Sequence, residues 1–137
     1  MSQENVALIR GMYDAFTRGD VPGVLGVMSP DIVWNEAENF PYADGNPYVG
    51  PMAVAQGVFA RLGSEWDGFA VAPEEILDAG DTVVALGHYL GTCKATGTAI
   101  RAQMVHVWRI VDGKVTAFQQ YVDTLQVARA IGTVPAN

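Results

Sequence analysis

The longest strand-like segment of the chain constrains its fold most. Residues 100 to 111 alternate in hydrophobicity, and the Asp112-Gly113 pair that follows is typical of a β-hairpin turn. One face of this strand carries Met104, His106 and Trp108, and the other carries β-branched valines. We therefore expect both faces to be buried, one against a pocket and the other against a partner surface.

Helical spacing dominates the beginning of the chain. Four apolar residues recur at intervals of three and four and predict a helix from about residue 3 to 18: Val6, Ile9, Tyr13 and Phe16. Asp20, with proline two residues later, predicts a short second helix. A strand at 32–38, a Pro/Gly-rich loop at 39–51 and a helix at 52–62 are predicted next. The segment 29–31 is predicted to end the second helix before that strand.

Strand patterns dominate the remainder. The predicted strands cover 69–77, as one strand or as a bent pair around Pro73, then 82–92, 100–111 and 115–123. Asp123 is the predicted N-cap of a last helix, which ends at Gly132. Helices segregated from antiparallel strands predict an α+β fold, and 137 residues predict a single domain over 1–137.

Composition limits the possible partners. Half of the residues are hydrophobic and only 17% are charged, which is typical of a compact domain rather than a disordered chain. The net charge of −7 disfavours nucleic acids and anionic membranes, so we expect neither as a partner. The lone cysteine, Cys93, excludes an internal disulfide and is expected to be inert. No signal-peptide pattern or long apolar run is present, so we expect a cytoplasmic protein.

Motifs for common cofactors are missing from the sequence. It contains no GxGxxG, GxxxxGK[ST] or GxSxG pattern, so neither a phosphate-binding glycine loop nor a serine nucleophile is supported. His88, Cys93 and His106 do not have the spacing of a metal site within one element. We expect no metal and no cofactor.

Three segments resemble a known family. They are YDAFTRGDVPGVLGVMSPDIVW (13–34), VHVWRIVDGKV (105–115) and FQQYVDT (118–124), and they are similar to the SnoaL-like and ketosteroid-isomerase-like branch of the nuclear transport factor 2 (NTF2-like) superfamily. The resemblance implies a cone, or cystatin-like α+β barrel, in which a curved antiparallel sheet and N-terminal helices close an apolar pocket. It also implies a homodimer through the outer sheet face. Members include isomerases, cyclases, hydrolases, dehydratases and non-enzymatic binders, so fold alone does not fix function.

Two residues are the candidate catalytic groups. By resemblance, Glu36 stands where ketosteroid isomerases hold their general base, and His106 stands where they carry an oxyanion-side Asp. A carboxylate on an apolar face loses hydration, which raises its pKa toward that of a useful base. An imidazole could donate to an enolate oxygen or move a proton. The alternatives are a solvated Glu36 at the pocket mouth and a hydrogen-bonded core histidine.

Gln120 departs from the family pattern. SnoaL-like cyclases and limonene-epoxide hydrolases carry a catalytic Asp at this strand position, whereas an amide can only orient a water or a ligand carbonyl. Chemistry that depends on that Asp is therefore in doubt. Asp123 is interpreted as a helix cap rather than as a replacement acid.

The other candidate ligand-binding residues follow from strand alternation and from resemblance. Besides Gln120, they are Trp34, Tyr13, Tyr89, Met104, Trp108 and Phe118. Tyr89 is favoured over its neighbour His88, since only one can point inward, and Gly87 and Gly91 on its face leave room for a ligand or for strand bending. Tyr13 is one residue out of register with the oxyanion tyrosine of the isomerases, because Met12 takes that position. It is therefore interpreted as a core aromatic or a ligand contact.

The long loop at 39–51 contributes two further tyrosines. Tyr42 and Tyr48 are interpreted either as a lid over the pocket or as parts of a plain surface loop. Together these patterns predict cofactor-free proton transfer, isomerase- or cyclase-like, on a small hydrophobic molecule. The alternative is a non-catalytic binder of a hydrophobic ligand, or a dimeric interaction module with a vestigial pocket.

Overall fold

The computed structural model describes residues 2–135. Its helices are α1 (Ser2–Thr17), α2 (Val21–Leu25), α3 (Pro51–Val54), α4 (Ala60–Glu65) and α5 (Thr124–Ile131). Its strands are β1 (Met28–Asn35), β2 (Tyr48–Val49), β3 (Trp66–Ala79), β4 (Thr82–Cys93), β5 (Ala99–Val111) and β6 (Lys114–Val122). The predicted α+β class is confirmed. No helix among the described residues is both long and apolar enough to cross a membrane.

The six strands form one curved, open sheet in the order β2-β1-β6-β5-β4-β3. Strands β3 to β6 are antiparallel neighbours, as expected, but β1 runs parallel to β6. The expectation of a purely antiparallel sheet is therefore wrong. A tight hairpin imposes antiparallel pairing, whereas β1 and β6 are far apart in sequence and no turn sets their direction.

Strand β1 begins and ends earlier than predicted. It includes the segment 29–31, which was expected to lie between the second helix and the strand, and it stops before Glu36. The pairing of β1 with β6 shifts register between Met28 and Val33, so Pro30 lies in an irregular stretch where its missing N–H removes no ladder hydrogen bond. The acid at 36 therefore occupies the first position after the strand rather than its middle.

The bend in β3 depends on a glycine in the next strand. Register shifts between Pro73 and Glu75, and a Cβ on the facing Gly87 would collide with the backbone carbonyl of Ala72. Neither Gly87 nor Gly91 is among the residues that line the central cavity described below. Of the two interpretations of these glycines, strand bending at Gly87 is the one the structure supports.

The helix predicted at 52–62 extends over 51–65 and contains a turn of π-helix. Helices α3 and α4 are joined without a break by that turn, Ala55–Phe59. Gly57 lies against the ring of Tyr48, and a Cβ there would overlap the ring. The wider turn directs Val58 and Phe59 toward the sheet.

The core lies between the helices and the concave face of the sheet. Ile9 and Met12 of α1 are buried against it, and Trp34, Trp108 and Phe118 form the aromatic centre. The opposite face is only partly covered within one chain, since Val105 and Val107 are half-buried and Tyr121 is 57% exposed. A dimer through this face stays a prediction, as does a cytoplasmic location.

Candidate functional site

A central cavity lies between α1, the helix at 51–65 and the concave face of the sheet. Its walls are mainly aromatic and aliphatic, and its polar side chains are Tyr13, Glu36, Tyr89, His106 and Gln120. The empty space among the lining atoms, including the part that is open to solvent, totals about 530 Å³. A mostly apolar enclosure with a few converging polar groups is the usual form of a small-molecule site.

Glu36 is a nearly fully buried acid, with 2% of its surface exposed. The indole N–H of Trp34 donates a hydrogen bond to its Oε2 at 3.0 Å. Burial raises the pKa of Glu36 to about 7, and the Trp34 hydrogen bond and the more distant Arg61 oppose this rise. Glu36 also borders a surface cleft, so it stands between the cavity and the exterior.

Asn46 fixes the backbone of Glu36, although the strand has already ended. The Glu36 N–H donates to Asn46 Oδ1 at 2.9 Å, and the Asn46 amide donates to the Glu36 carbonyl at 2.8 Å. This pair of bonds replaces the missing strand partner and keeps the acid pointing inward. Sequence reasoning missed Asn46, and the only available signal was an Asn-Pro pair in the loop.

His106 is held at both ring nitrogens. The hydroxyl of Tyr13 lies 2.7 Å from Nδ1, and the hydroxyl of Tyr89 lies 2.5 Å from Nε2. Burial lowers the pKa of His106 to about 3, so the ring is neutral at physiological pH. An imidazole with both nitrogens occupied has no free position for a ligand. The geometry therefore favours the interpretation of His106 as a hydrogen-bonded core histidine at the cavity wall.

Gln120 connects two parts of the cavity wall. Its Oε1 accepts the backbone N–H of Ala37 at 3.0 Å, and its Nε2 donates to the Tyr89 hydroxyl at 2.8 Å. The residue after Glu36 is thereby tied to the Tyr89–His106 pair. A carboxylate in this position could only accept hydrogen bonds, so the amide is what allows donation to Tyr89.

The aromatic residues predicted to bind a ligand pack on one another. Trp34 stacks on Phe118 with ring centroids 3.8 Å apart, and Trp108 lies 4.5 Å from Phe118. The indole N–H of Trp108 donates to the Tyr13 hydroxyl at 2.9 Å. All three aromatic residues line the cavity, and so does Tyr13, which serves as a core aromatic and a cavity wall at once.

Two other predictions about orientation have clear outcomes. Tyr89 points inward and is buried, whereas His88 points outward and lies 2.9 Å from Glu74. Met104 is buried on the same strand as His106 but does not line the cavity. Its Cα is paired with that of Gly87, opposite the register shift in β3, and the side chain borders a separate surface cleft instead.

The two loop tyrosines lie outside the central cavity and are not at the surface. Tyr42 donates to Glu65 at 2.8 Å and accepts the indole N–H of Trp66 at 3.1 Å. Tyr48 donates to the backbone carbonyl of Tyr42 at 2.6 Å. The interpretations as a lid and as a plain surface loop are therefore both wrong. We call Tyr42, Tyr48, Asp44 and Arg61 the loop cluster.

The loop does contribute one cavity residue that the sequence analysis missed. Phe40 lines the cavity and packs edge-on against Tyr42, with ring centroids 5.4 Å apart. Phe59 and Phe69 were also missed, on the π-turn and on β3. Of these three residues, only Phe40 had a local sequence signal for burial, because it is an aromatic residue flanked by two turn-forming residues.

Residues 2–135 contain no group of three His, Cys, Asp or Glu side chains placed to bind a metal ion. The thiol of Cys93 is buried. The polar side chains that line the cavity are thus one acid with a pKa near neutrality and several neutral hydrogen-bonding groups. Such an acid can accept and return a proton under ordinary conditions.

The chain is similar to known proteins over most of its length. A family model described as a SnoaL-like domain matches residues 9–118. An NTF2-like protein from Burkholderia thailandensis E264 is 37% identical, covering 92% of this chain and 95% of that chain with a TM-score of 0.88. An NTF2-like protein of unknown function from Burkholderia pseudomallei K96243 is 30% identical, covering 93% and 97% with a TM-score of 0.85.

A third similar structure contains a small molecule. TerC, co-crystallised with polyporic acid, is 29% identical and covers 94% of this chain and 98% of its own, with a TM-score of 0.84. Among curated proteins, none matches this sequence. The resemblance seen in the three sequence segments is confirmed for the family and for the fold.

Proposed function

Because this chain belongs to the SnoaL-like domain family of NTF2-like proteins, we propose that it binds a small, mostly apolar molecule in the central cavity and transfers a proton through Glu36 without a cofactor. The observation that carries this proposal is the placement of Glu36. Among residues 2–135 it is the one carboxyl group that lines the cavity, whose other walls are aromatic, aliphatic and neutral polar.

The physical basis is that both the ionised and the protonated form of the Glu36 side chain are populated near neutral pH. With a pKa of about 7, the side chain is half ionised near neutral pH. A carboxylate in an apolar enclosure is a stronger base than one in water, because solvent does not stabilise its charge. When it removes a proton from a ligand carbon, the C–H electron pair moves into the ligand and negative charge develops on a conjugated oxygen.

The neutral polar side chains of the cavity are suited to that oxygen. Tyr89 and Gln120 both carry hydrogen-bond donors, and His106 is held against Tyr89. Donors that are already ordered stabilise developing charge without further reorganisation. TerC, which was co-crystallised with polyporic acid, supports the proposal of a small-molecule ligand for this chain.

A second candidate function is binding without catalysis. Gln120 favours it, since proton transfer through an acid at that strand position is not available to this chain. The two candidates differ only in whether Glu36 exchanges a proton with the ligand. An experiment on proton exchange therefore separates them.

Acetophenone is a suitable probe, because it has one ring, one carbonyl and exchangeable methyl hydrogens next to it. The test follows the loss of these hydrogens in deuterated buffer by proton NMR, for the wild type and for Glu36→Gln. We expect the wild type to accelerate exchange and the variant to be slower by about 10² to 10⁴, the usual contribution of a general base. The Kd for acetophenone, from ligand titration, should change by less than about threefold.

Glu38→Gln is the matched control, since Glu38 lies two residues away and is exposed. Its exchange rate should equal that of the wild type. Equal rates in the wild type and Glu36→Gln would remove Glu36 from the mechanism. Binding of acetophenone without any accelerated exchange would establish the binder instead.

A further inference from the structure

We infer that Tyr89, rather than His106, is the group that donates a hydrogen bond to the ligand, so that the cavity selects molecules presenting an acceptor oxygen to this wall. The inference rests on the proposed function only for the location of the ligand. It follows from counting hydrogens along the chain of side chains Trp108, Tyr13, His106, Tyr89 and Gln120.

The two ends of this chain are fixed donors. The indole of Trp108 has an N–H and no acceptor, so it donates to the Tyr13 oxygen. The amide of Gln120 is oriented by Ala37, whose backbone N–H needs the carbonyl oxygen Oε1. The Nε2 group therefore faces Tyr89 and donates to the Tyr89 oxygen.

The imidazole at the centre of the chain has one acceptor position fewer than two donating tyrosines would need. A neutral imidazole has one N–H and one lone pair. His106 bonds both tyrosines, so its N–H donates to one of them and its bare nitrogen accepts from the other. One tyrosine therefore donates its hydroxyl hydrogen to His106. The hydroxyl hydrogen of the other tyrosine is not used within this chain of side chains and can be donated to a ligand.

Electrostatics selects Tyr89 as the tyrosine with the free hydrogen. Gln120 joins the Tyr89 hydroxyl to the backbone N–H of Ala37, the residue after Glu36, whereas the Tyr13 hydroxyl is bonded to Trp108 at the other end of the chain of side chains. Burial raises the pKa of Tyr89, and the negative charge of Glu36 raises it further. A hydroxyl dipole turned toward the cavity beside this charge is stabilised by it. His106 then carries its hydrogen on Nε2 and donates to Tyr89, and Tyr13 donates to Nδ1.

This arrangement defines the chemistry of the ligand. The Tyr89 oxygen already accepts from His106 and Gln120, so its remaining function is to donate. A carbonyl or phenolic oxygen can accept that hydrogen, whereas an ammonium group cannot. When Glu36 takes a proton from the carbon next to a carbonyl, the C–H pair becomes a C=C bond and the carbonyl becomes an enolate oxygen facing Tyr89. His106 is a positioning residue in this scheme.

The first test reads the tautomer of His106 directly in the full chain. Nitrogen-15 NMR distinguishes a protonated ring nitrogen from a bare one, and the chain has only two histidines to assign. We expect His106 to be neutral with its hydrogen on Nε2. A hydrogen on Nδ1 would place the free hydroxyl on Tyr13 and overturn the inference, and so would a doubly protonated ring at pH 7.

The second test measures the hydrogen bond to the probe. The infrared carbonyl stretch of acetophenone should move to lower wavenumber on binding to the wild type and return toward its value in hexane in Tyr89→Phe. The Kd should weaken about threefold to tenfold, as expected for one neutral hydrogen bond. Tyr121→Phe is the control, because its hydroxyl belongs to an exposed side chain on the outer face. A shift that persists in Tyr89→Phe would overturn the inference.

Failure of this inference can be distinguished from failure of the proposed function. A shifted carbonyl without hydrogen exchange would remove the catalytic role of Glu36 and leave Tyr89 as the donor. Exchange in Tyr89→Phe at the wild-type rate, with an unshifted carbonyl in both proteins, would leave Glu36 as the base and remove Tyr89. The tautomer measurement on the wild type decides the assignment even where a variant does not fold.

Discussion

Two groups of buried tyrosines in this chain differ in the charge of the side chains around their hydroxyls. In the central cavity, Tyr13 and Tyr89 bond to a histidine that burial keeps neutral. In the loop cluster, Tyr42 and Tyr48 lie among full charges that have partners. The two groups use the same residue type in similar burial, so the difference lies in what surrounds the hydroxyls.

The charges of the loop cluster are compensated. Arg61 makes two hydrogen bonds to Asp44, at 2.8 and 3.0 Å, and its guanidinium lies 4.2 Å from the centre of the Tyr42 ring. Arg61 lowers the pKa of Asp44, so this carboxyl stays ionised. We infer that these contacts hold the loop against the helix at 51–65.

The titratable groups of the cavity are not compensated in this way. Glu36 and His106 are both shifted toward their neutral forms, chiefly by burial. A site that keeps an acid and an imidazole without counterions loses stability at the pH where each would ionise. Such a cost is typical of a functional site, and it can be measured without knowing the ligand.

The largest expected effect concerns His106. Its pKa of about 3 in the folded chain lies below its ordinary 6.5, so the unfolded chain binds a proton that the folded chain does not. Stability is therefore fully present above pH 6.5 and is lost as the pH falls toward 3, by about 5 kcal/mol in total. His106→Gln has no titrating group at this position and should lack this loss.

Urea unfolding followed by tryptophan fluorescence between pH 4 and 8 measures the effect. His88→Gln removes the other imidazole, on the outer face, and the loss at low pH should persist in that control. If His106→Gln and the wild type had parallel stability curves, the histidine in the cavity would not be held neutral by burial. The distinction from the loop cluster would then fail.

The next largest effect has the opposite sign. The pKa of Glu36 rises from 4.5 to about 7 on folding, so its contribution is fully present below pH 4.5 and is lost as the pH rises to 7. The loss amounts to about 3 kcal/mol. Glu36→Gln should remove it, and the variant should become more stable than the wild type by a growing margin over this range.

The two contributions oppose each other between pH 4.5 and 6.5. In that window the wild type should show little pH dependence from the cavity. Stability should rise with pH in Glu36→Gln and fall with pH in His106→Gln. A wild type and a Glu36→Gln variant with the same slope would show that the acid reaches solvent freely, as a solvated residue at the pocket mouth would.

Much of the fold could be predicted because its signals are local. The Asp112-Gly113 turn has positive φ at both residues, as a tight hairpin requires, and Asp123 caps α5 by accepting the N–H of Gln126. The direction of β1 could not be predicted, because its pairing with β6 depends on contacts far apart in sequence. The π-turn depends in the same way on Tyr48 packing against Gly57.

The candidate site could be predicted in its membership but not in its connections. Alternation and resemblance placed Trp34, Glu36 and His106 at one pocket, and all three line the cavity. The sequence could not show that His106 is bonded on both sides, since one partner, Tyr13, is 93 residues away. Nor could it show that Asn46 holds Glu36 inward after the strand has ended.

The smallest expected effect lies in the loop cluster. Arg61→Ala removes an ion pair in which Asp44 is 61% exposed, together with the contact over Tyr42. Exposed pairs and such ring contacts each contribute up to about 1 kcal/mol, and salt screens them. We expect a loss of about 1 kcal/mol at low ionic strength that shrinks in 0.5 M NaCl, a concentration at which the Debye length is only about 4 Å. Arg18→Ala should lose less, because the Arg18 side chain is more exposed than that of Arg61 and lies 3.6 Å from Asp20. The pH effect of Glu36 should persist in the same salt, because burial rather than a counterion causes it. A salt-insensitive Arg61 loss as large as the Glu36 effect would mean that the loop cluster, too, depends on a charge shielded from solvent.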